Sequence, residues 1–531
     1  MLSRRRFLLS GTASVAAALL SWACRRGPRA TMDGDGDDHI LLWRQRIEPA
    51  HRLFWKGSLP PQPNAYHRCD VLVIGAGPAG LSSAYFLQQL GYDVLVVENE
   101  PLCGGATRTE HWQGAHVPVG ALYFAELSGA LQELLQALQL QPLPLPNDAL
   151  LLEGTIYEGF WRDSVLAELP LPREERSALW RFRTDLQTLP IPPYPLPDPL
   201  PPNWRSVAAQ PAETFVSAYG SATLLRLLNA YSRSAMGAEL SEVSAYCFRD
   251  FYSGEFGWEF ECPRYSLPGG LAELSRRLCE RLGTQRVRLR HLALRCEHLS
   301  EQRVRTVCIA PEGEVLAIDA DAVVFAGQKF LAKHLIPELP PAQQQAILQL
   351  RYAPYLTVHV WTDFPLVPPS CFDLWVPQAQ LFTDVVNAAL IQSAPVEGFL
   401  SCIYVPLAPT QRQLLLDDTA VRRLVRAVVR EAFSLLAPER AAESMPLACF
   451  AWGHAMVIPT PTALLGAAQQ AARPVGRIVF ANTDNDASPA LENAIEHGLR
   501  AAETVHRLLR PHSTRPLLRR RTLVAQPSSS P

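Results

Sequence analysis

Val71-Leu72-Val73-Ile74 forms an unbroken apolar run, the pattern of a parallel strand buried on both faces. Gly75-Ala76-Gly77-Pro78-Ala79-Gly80 follows at once, and behind it Leu81, Ala84, Leu87 and Leu90 share one side of a helix that Gly91 stops. A second apolar run, Val94-Leu95-Val96-Val97, predicts the next strand and ends at Glu98. Toward the other end of the chain, Ile478 to Ala481 predicts a short buried strand. A helix is then expected with Ser488 as N-cap and Pro489 at its first position, carrying Leu491, Ala494, Ile495, Gly498, Ala502 and Val505 as an apolar stripe. Between these elements, residues 190–202 hold eight prolines in thirteen positions. Such a segment is stiff and cannot donate to a sheet, so it reads as an extended surface strap or, alternatively, as a polyproline segment that binds a partner.

The strand, turn, helix and strand in this order give the glycine motif the context of a dinucleotide site. Gly75 permits the tight turn, Gly77 lets the backbone approach a pyrophosphate, and Gly80 allows the helix to pack close on the strand. Pro78 and Ala79 open a helix whose N-terminus, with about half a unit of positive charge, faces the phosphates. Glu98 is placed to accept hydrogen bonds from a ribose and to repel a 2′-phosphate. No second motif of this kind follows a strand elsewhere in the chain, which argues against a separate nicotinamide domain.

Composition narrows the class. At about 100–200 residues per domain, a chain of 531 residues is not a single small fold. Its side chains are 48% hydrophobic and 19% charged, with 49 basic against 51 acidic. That balance excludes chain-wide disorder and offers no charge excess for a nucleic-acid partner. The cysteines include no C-x-x-C pair and no His/Cys cluster of zinc spacing, so no metal site is expected, and apart from Cys24 they read as small buried hydrophobes. Lysine occurs only at Lys56, Lys329 and Lys333.

Ser3-Arg4-Arg5-Arg6-Phe7-Leu8-Leu9 opens an uncharged apolar stretch that runs to about Ala23, the basic and hydrophobic regions of a targeting segment. Paired arginines ahead of Phe-Leu resemble a twin-arginine export signal, a receptor-read address. The apolar run is shorter than the ~20 residues of a spanning helix, with a short membrane anchor as the competing reading. Residues 1–24 are therefore assigned to a twin-arginine-type signal. Ser21-Trp22-Ala23 precedes a plausible cleavage at Cys24, which is alternatively the lipid-bearing first residue of a lipoprotein. Asp33-Gly34-Asp35-Gly36-Asp37-Asp38 lacks the glycine and the bidentate Glu of a calcium loop and reads as a linker. Residues 511–531, with Arg519-Arg520-Arg521, read as a basic disordered tail.

Gly104-Gly105-Ala106-Thr107-Arg108-Thr109, close behind the second strand, bears on whether the dinucleotide is NAD or FAD. With it the chain resembles the flavin-containing amine oxidase superfamily, which takes in amine oxidases, protoporphyrinogen oxidases and phytoene desaturases. Its members carry a Gly-Gly pair, then Arg and Ser or Thr, where the chain passes the diphosphate and flavin ring. Pro268-Gly269-Gly270 and Val287-Arg288-Leu289 are similar to the family's return to the FAD domain, with Leu292 at the adenine-contacting position. Ala320-Asp321-Ala322-Val323-Val324-Phe325-Ala326 is similar to its next strand. Gly476-Arg477-Ile478-Val479-Phe480-Ala481-Asn482-Thr483-Asp484 and Ala494-Ile495-Glu496-His497-Gly498-Leu499-Arg500-Ala501-Ala502 resemble its C-terminal flavin motif. The resemblance implies FAD as cofactor, held by Gly75, Gly77, Pro78, Ala79, Gly80, Glu98, Gly104, Gly105, Arg108, Leu292, Asp484 and Leu491. It also implies that the last helix aims its N-terminus at the pyrimidine edge of the flavin, where partial positive charge favours the anionic reduced form.

Two positions depart from the family's usual pattern. Amine oxidases carry a lysine near flavin N5, where this chain has Thr357, and an aromatic just before the C-terminal helix, where it has Ala490. Both departures fit the branch that oxidises apolar, conjugated or ring substrates. Ala451-Trp452-Gly453-His454-Ala455-Met456 resembles the stretch that approaches flavin and substrate. Trp452 and His454 are therefore the candidate catalytic residues, one to stack on a flat substrate and one to move a proton, with a core Trp and a structural His as the alternative. Tyr231, Arg233, Tyr252 and Trp258 are candidates to line the substrate cavity, with core packing as the alternative.

The expected fold is α/β, with an FAD-binding doubly wound (Rossmann-like) domain from residues 67–130, 262–330 and 470–510. An α+β substrate domain from 131–261 and 331–469 is interleaved with it, and a linker and N-terminal extension fill 25–66. The expected function is an exported, periplasmic or cell-envelope FAD-dependent oxidoreductase that passes a hydride from a small organic substrate to flavin N5. Expected partners are the twin-arginine export machinery and oxygen or a quinone as electron acceptor, with no membrane span in the mature chain. The alternatives are a carotenoid- or tetrapyrrole-type desaturase or oxidase and a non-catalytic flavin-binding protein.

Overall fold

The computed structural model describes residues 40–46, 61–125, 127, 129–256, 264–440 and 445–513. The expected export signal, Cys24, the Asp-Gly linker, Trp258 and the tail beyond residue 513 lie outside the described residues.

The first sheet grows from the strand Ala65–Ile74. Its first half alternates exposed Tyr66 and Arg68 with half-buried Ala65 and His67, so it starts earlier than the apolar run alone predicts. Val94–Val97 pairs with it in parallel on one side and Val315–Phe325 on the other. Val287–Arg288 extends the sheet beyond Val94–Val97, and Ile478–Phe480 joins the end of Val315–Phe325, both in parallel. Arg303–Ile309 and Leu292–Ser300 complete it with antiparallel pairing. Ile74 stands level with Val97 and Phe325, and Phe325 with Phe480. The residues that follow, Gly75, Glu98, Ala326 and Ala481, therefore emerge side by side along one edge. That carboxyl edge is where open α/β sheets bind ligands.

The helix Leu491–Leu509 lies against the helix Pro78–Gln89. Gly498 sets their spacing, because a Cβ there would stand 2.0 Å from Ser82 Oγ and 2.6 Å from the Ala79 carbonyl. The helix does not begin at Ser488 and Pro489 as the local signal predicts. Its first residue is Leu491, with Ala490 as an N-cap that makes no side-chain bond. The Ser488 hydroxyl accepts instead from Asn493 Nδ2, which removes it from the capping role.

The second sheet has eight strands in the order Ile40–Arg44, Leu447–Val457, Tyr352–Thr362, Phe399–Pro406, Asp384–Asn387, Asp373–Trp375, Ala149–Leu152 and Thr155–Glu158. Ile40–Arg44 runs parallel to Leu447 through Ala451, so part of the segment expected as linker is an edge strand, too short to stand out against its polar flank. Alternation sorts the faces of this sheet. Leu356, Val358 and Val360 share a core with Val421, Val425, Val428, Val429 and Phe433 of the helix Asp418–Leu436. Tyr355, Tyr404, Phe450 and Trp452 belong to a separate cluster on the other face, toward the first sheet.

Candidate functional site

A cavity of about 1160 Å³ joins the carboxyl edge of the first sheet to that aromatic face. Gly75, Gly77, Pro78, Ala79, Glu98, Gly105, Leu292, Asp484 and Leu491 line it, as do Trp452 and His454. Gly80, Gly104 and Arg108 are not among its lining residues. The structure thus brings both ends of the predicted site to one space, although Glu98 and Trp452 lie far apart in sequence.

The lining carries the shape of a diphosphate cradle. A Cβ built on Gly77 would meet nothing nearer than Gly105 Cα at 3.9 Å, so that side of the loop is bare backbone. A Cβ on Gly105, whose φ is +53°, would come 3.2 Å from Gly77 Cα. The two glycines let the loops lie close, at the N-terminus of a helix whose first turn holds no acid. Gly80 serves packing, since a Cβ there would stand 2.0 Å from the Gly75 carbonyl oxygen. Gly104 donates from its N–H to the Ala76 carbonyl at 2.8 Å, which ties the second glycine loop to the first.

Beyond the cradle, Glu98 accepts from the Ala76 N–H at 2.6 Å and from the Glu100 N–H at 2.8 Å. Burial pushes its carboxyl pKa up, against the pull of those two amides. The segment just after the edge strand reaches this end of the cavity. Arg46 donates from its backbone N–H to Glu100 Oε1 at 2.7 Å and from Nη1 to the Asn99 carbonyl at 2.9 Å. Sequence reading missed Arg46, which sat in the expected linker. Arg108 stands a layer out, between Glu100 at 2.9 Å and Glu110 at 3.3 Å, with its guanidinium 4.6 Å above the Phe450 ring. It braces the loop against the second sheet.

Asp484 is buried. Its Oδ2 accepts from the Lys329 N–H at 2.8 Å and the Tyr352 hydroxyl at 2.6 Å. Lys329, wholly buried, donates from Nζ to Asn482 Oδ1 and Asn485 Oδ1, each at 2.6 Å. Burial pulls its ammonium pKa down to about 8, partly offset by Asp484 and Asp486. This cluster was not foreseen. Its one signal was the scarcity of lysine, and Lys329 braces the loop that carries Asp484.

At the far end, the Thr357 hydroxyl donates to the Val119 carbonyl at 3.1 Å, and the Trp452 indole N–H donates to the same oxygen. The His454 ring packs on Phe330 at a centroid distance of 4.2 Å and on Tyr352 at 5.9 Å. Tyr231 and Tyr252 meet each other edge to face at 4.4 Å in the hydrophobic core and do not line the cavity, nor does Arg233. Asp250 and Phe251, on the helix Ala245–Phe256, reach it instead. The proline-rich segment is only partly a surface strap. Ile191, Pro192, Pro193 and Tyr194 form cavity wall, held by Tyr246 Oη on the Pro193 carbonyl, by the Leu196 N–H on Asp486 and by Gln469 Nε2 on the Pro197 carbonyl. Among the described residues there is no cluster of metal-ligating side chains, and no helix is long and apolar enough to cross a membrane.

A mostly parallel sheet whose carboxyl edge carries a bare-backbone glycine cradle and an acid, opening onto a second sheet's aromatic face, is the architecture of a dinucleotide-binding protein. The family is shown directly, because the model for flavin containing amine oxidoreductases matches residues 78–506 and the chain belongs to that family. It is an FAD-dependent enzyme, and the Gly77–Gly105 cradle fits the diphosphate of that cofactor. The chain is 35% identical to the L-glutamate oxidase precursor of Streptomyces viridosporus over 124 residues, 20% of this chain and 18% of that protein. It therefore spans less than a fifth of that relative. Among solved structures, a putrescine oxidase triple mutant redesigned in cofactor binding matches with a TM-score of 0.68 at 18% identity, covering 83% of this chain and 99% of that one. Cyclohexylamine oxidase from Brevibacterium oxydans matches with a TM-score of 0.63 at 22% identity and the same coverage. At these identities the structural likeness shows the fold.

Proposed function

We propose that the chain takes a hydride from a ring or conjugated organic substrate seated against Trp452, Tyr355 and Tyr404, and that it works outside the cytoplasm after twin-arginine export. The observation that carries the substrate class is Thr357. Its neutral hydroxyl is committed to the Val119 carbonyl at the wall where amine oxidases carry a lysine. FAD, when bound, supplies N5 as the hydride acceptor.

The chain's own residues do the rest. The Gly77 and Gly105 backbone would hold the FAD diphosphate, with Glu98 on the ribose side and Leu292 on the adenine side of the cavity. The N-terminus of the helix Leu491–Leu509 favours negative charge beside it. Trp452, fixed through its indole N–H, presents its ring to a flat substrate. His454 exchanges a proton with the substrate at its imidazole. The wall at residues 191–194 narrows access of water, which strengthens every charge interaction inside. Electrons leave to oxygen or a quinone.

Anaerobic mixing of the holoenzyme with isoprenoids, cyclic tetrapyrroles, aromatic amines and polyamines tests this reading. Bleaching of the flavin band by a ring or conjugated compound supports it, and bleaching by aliphatic amines alone overturns it. Fusing residues 1–40 to a reporter tests export, which the Arg4→Lys, Arg5→Lys pair is expected to abolish.

A further inference from the structure

Nine cysteines fall among the described residues, and they divide sharply. Cys69, Cys247, Cys296, Cys308, Cys371, Cys402 and Cys449 are buried, whereas Cys103 and Cys279 are part-exposed. Those two also face each other, with their sulfurs 3.0 Å apart. They come from elements that the FAD site needs. Cys103 directly precedes Gly104, whose N–H holds the Ala76 carbonyl, and Cys279 lies on the helix Ala272–Leu282, which packs on the helix Pro78–Gln89.

We propose that Cys103 and Cys279 are a redox-active dithiol, and that its oxidation to a disulfide fastens the Gly104–Gly105 loop of the FAD cradle to the helix Ala272–Leu282. The inference is independent of the substrate class. Formation of the bond needs the sulfurs to approach by only about 1 Å, given a disulfide length of about 2.05 Å. Contact between the two groups also divides their chemistry. The hydrogen bond from Cys279 lowers the pKa of Cys103, while Cys279 is raised. Cys103 is thus the attacking thiolate and Cys279 the resolving thiol. Elsewhere burial holds paired neighbours such as Cys296 and Cys308 up at about 12, where they stay unreactive.

Hydrogen peroxide is the oxidant. The Cys103 thiolate attacks one peroxide oxygen, the O–O bond breaks, and the released hydroxide takes a proton to leave as water, giving a sulfenic acid. The Cys279 thiol then attacks Cys103 Sγ and expels the sulfenic hydroxyl, which takes the Cys279 proton and leaves as the second water. In sum, two thiols and one peroxide give one disulfide and two waters, with two electrons passing from sulfur to oxygen. A dithiol reductant reverses the link by exchange.

The experiment uses full-length holoenzyme, first reduced with dithiothreitol and desalted, then exposed to stoichiometric hydrogen peroxide, alkylated with N-ethylmaleimide and mapped by peptide mass. The expected result is a linked peptide pair joining residues 103 and 279, 2 Da lighter than the sum of its thiols and lost on reduction, together with at least threefold slower FAD release than from the reduced form. In Cys279→Ser, Cys103 is expected to stop at a sulfenic acid that dimedone traps, and Cys103→Ser is expected to leave Cys279 unreacted. These two variants keep the test open even if one of them folds poorly. Free alkylation of both cysteines after peroxide, with no linked peptide, overturns the proposal. Equal FAD release from both redox forms overturns the fastening.

Discussion

Thr357 and Trp452 donate to one acceptor. The Val119 carbonyl takes both the Thr357 hydroxyl and the Trp452 indole N–H, from strands whose pairing sets Tyr355 opposite Trp452 and Thr357 opposite Phe450. A single buried oxygen therefore pins both side chains of the proposed substrate wall. Thr357→Val and Trp452→Phe are each expected to cost about 1 kcal/mol for the lost hydrogen bond, apart from packing changes. The double variant is expected to cost more than their sum, because only then is the carbonyl left without a partner. A double-mutant cycle in denaturant measures this, and strict additivity contradicts it.

Gly77 and Gly80 separate cofactor binding from folding. Because the Cβ of Gly77→Ala would meet nothing nearer than Gly105 Cα at 3.9 Å, the apoprotein is expected to keep its stability while FAD affinity falls at least tenfold, about 1.4 kcal/mol. Gly80→Ala drives a methyl into the Gly75 carbonyl and is expected to destabilise the apoprotein itself by about 1–3 kcal/mol. Thermal unfolding of both apo variants, beside FAD titration, checks the contrast. Equal apoprotein stability in the two contradicts it.

His359 makes the fold sensitive to acid. Its ring is wholly buried, neither nitrogen has a hydrogen-bond partner among the described residues, and burial pushes its pKa from 6.5 down to about 3. The unfolded chain takes up a proton below 6.5 and the native imidazole does not until about 3, so stability is complete above 6.5 and is lost as pH falls through that window. Between the ordinary histidine value and pH ~5 the loss is about 2 kcal/mol, at 1.36 kcal/mol per unit. His359→Leu is expected to flatten this slope in denaturation midpoints measured across the window. An unchanged slope contradicts the assignment.

His454 is expected to act on the proton and not on the cofactor. His454→Asn should keep FAD occupancy and the flavin spectrum while slowing substrate bleaching by about 10²–10⁴-fold. It should also change the shape of the pH–rate profile. Loss of FAD, or an unchanged pH profile, assigns His454 to packing against Phe330.

The cofactor half of the site was legible because its parts are contiguous. Gly75 through Gly80, the helix behind them and Glu98 lie on one short stretch, and Gly75 and Gly80 each answer a local steric demand. The far half is assembled across long separations that periodicity does not reach. Asp484 meets Lys329 and Tyr352, and the side of the proline-rich segment that faces inward is fixed by Tyr246, Gln469 and Asp486. Ser488 misled for a related reason. An N-cap signal is read from its immediate neighbours, yet the side chain of Asn493 had already claimed that hydroxyl. Between the two readings open for Tyr231 and Tyr252, cavity lining and core packing, the structure shows the second, a choice that depends on helix orientation rather than on composition.

The Thr357 wall is expected to serve a ring or conjugated substrate. Anaerobic titration of the holoenzyme, followed at the visible flavin band, measures it most directly. Full bleaching is expected at one equivalent of a conjugated or cyclic donor, and none by putrescine or other aliphatic amines. Full bleaching by aliphatic amines, with none by the conjugated and cyclic compounds, contradicts it.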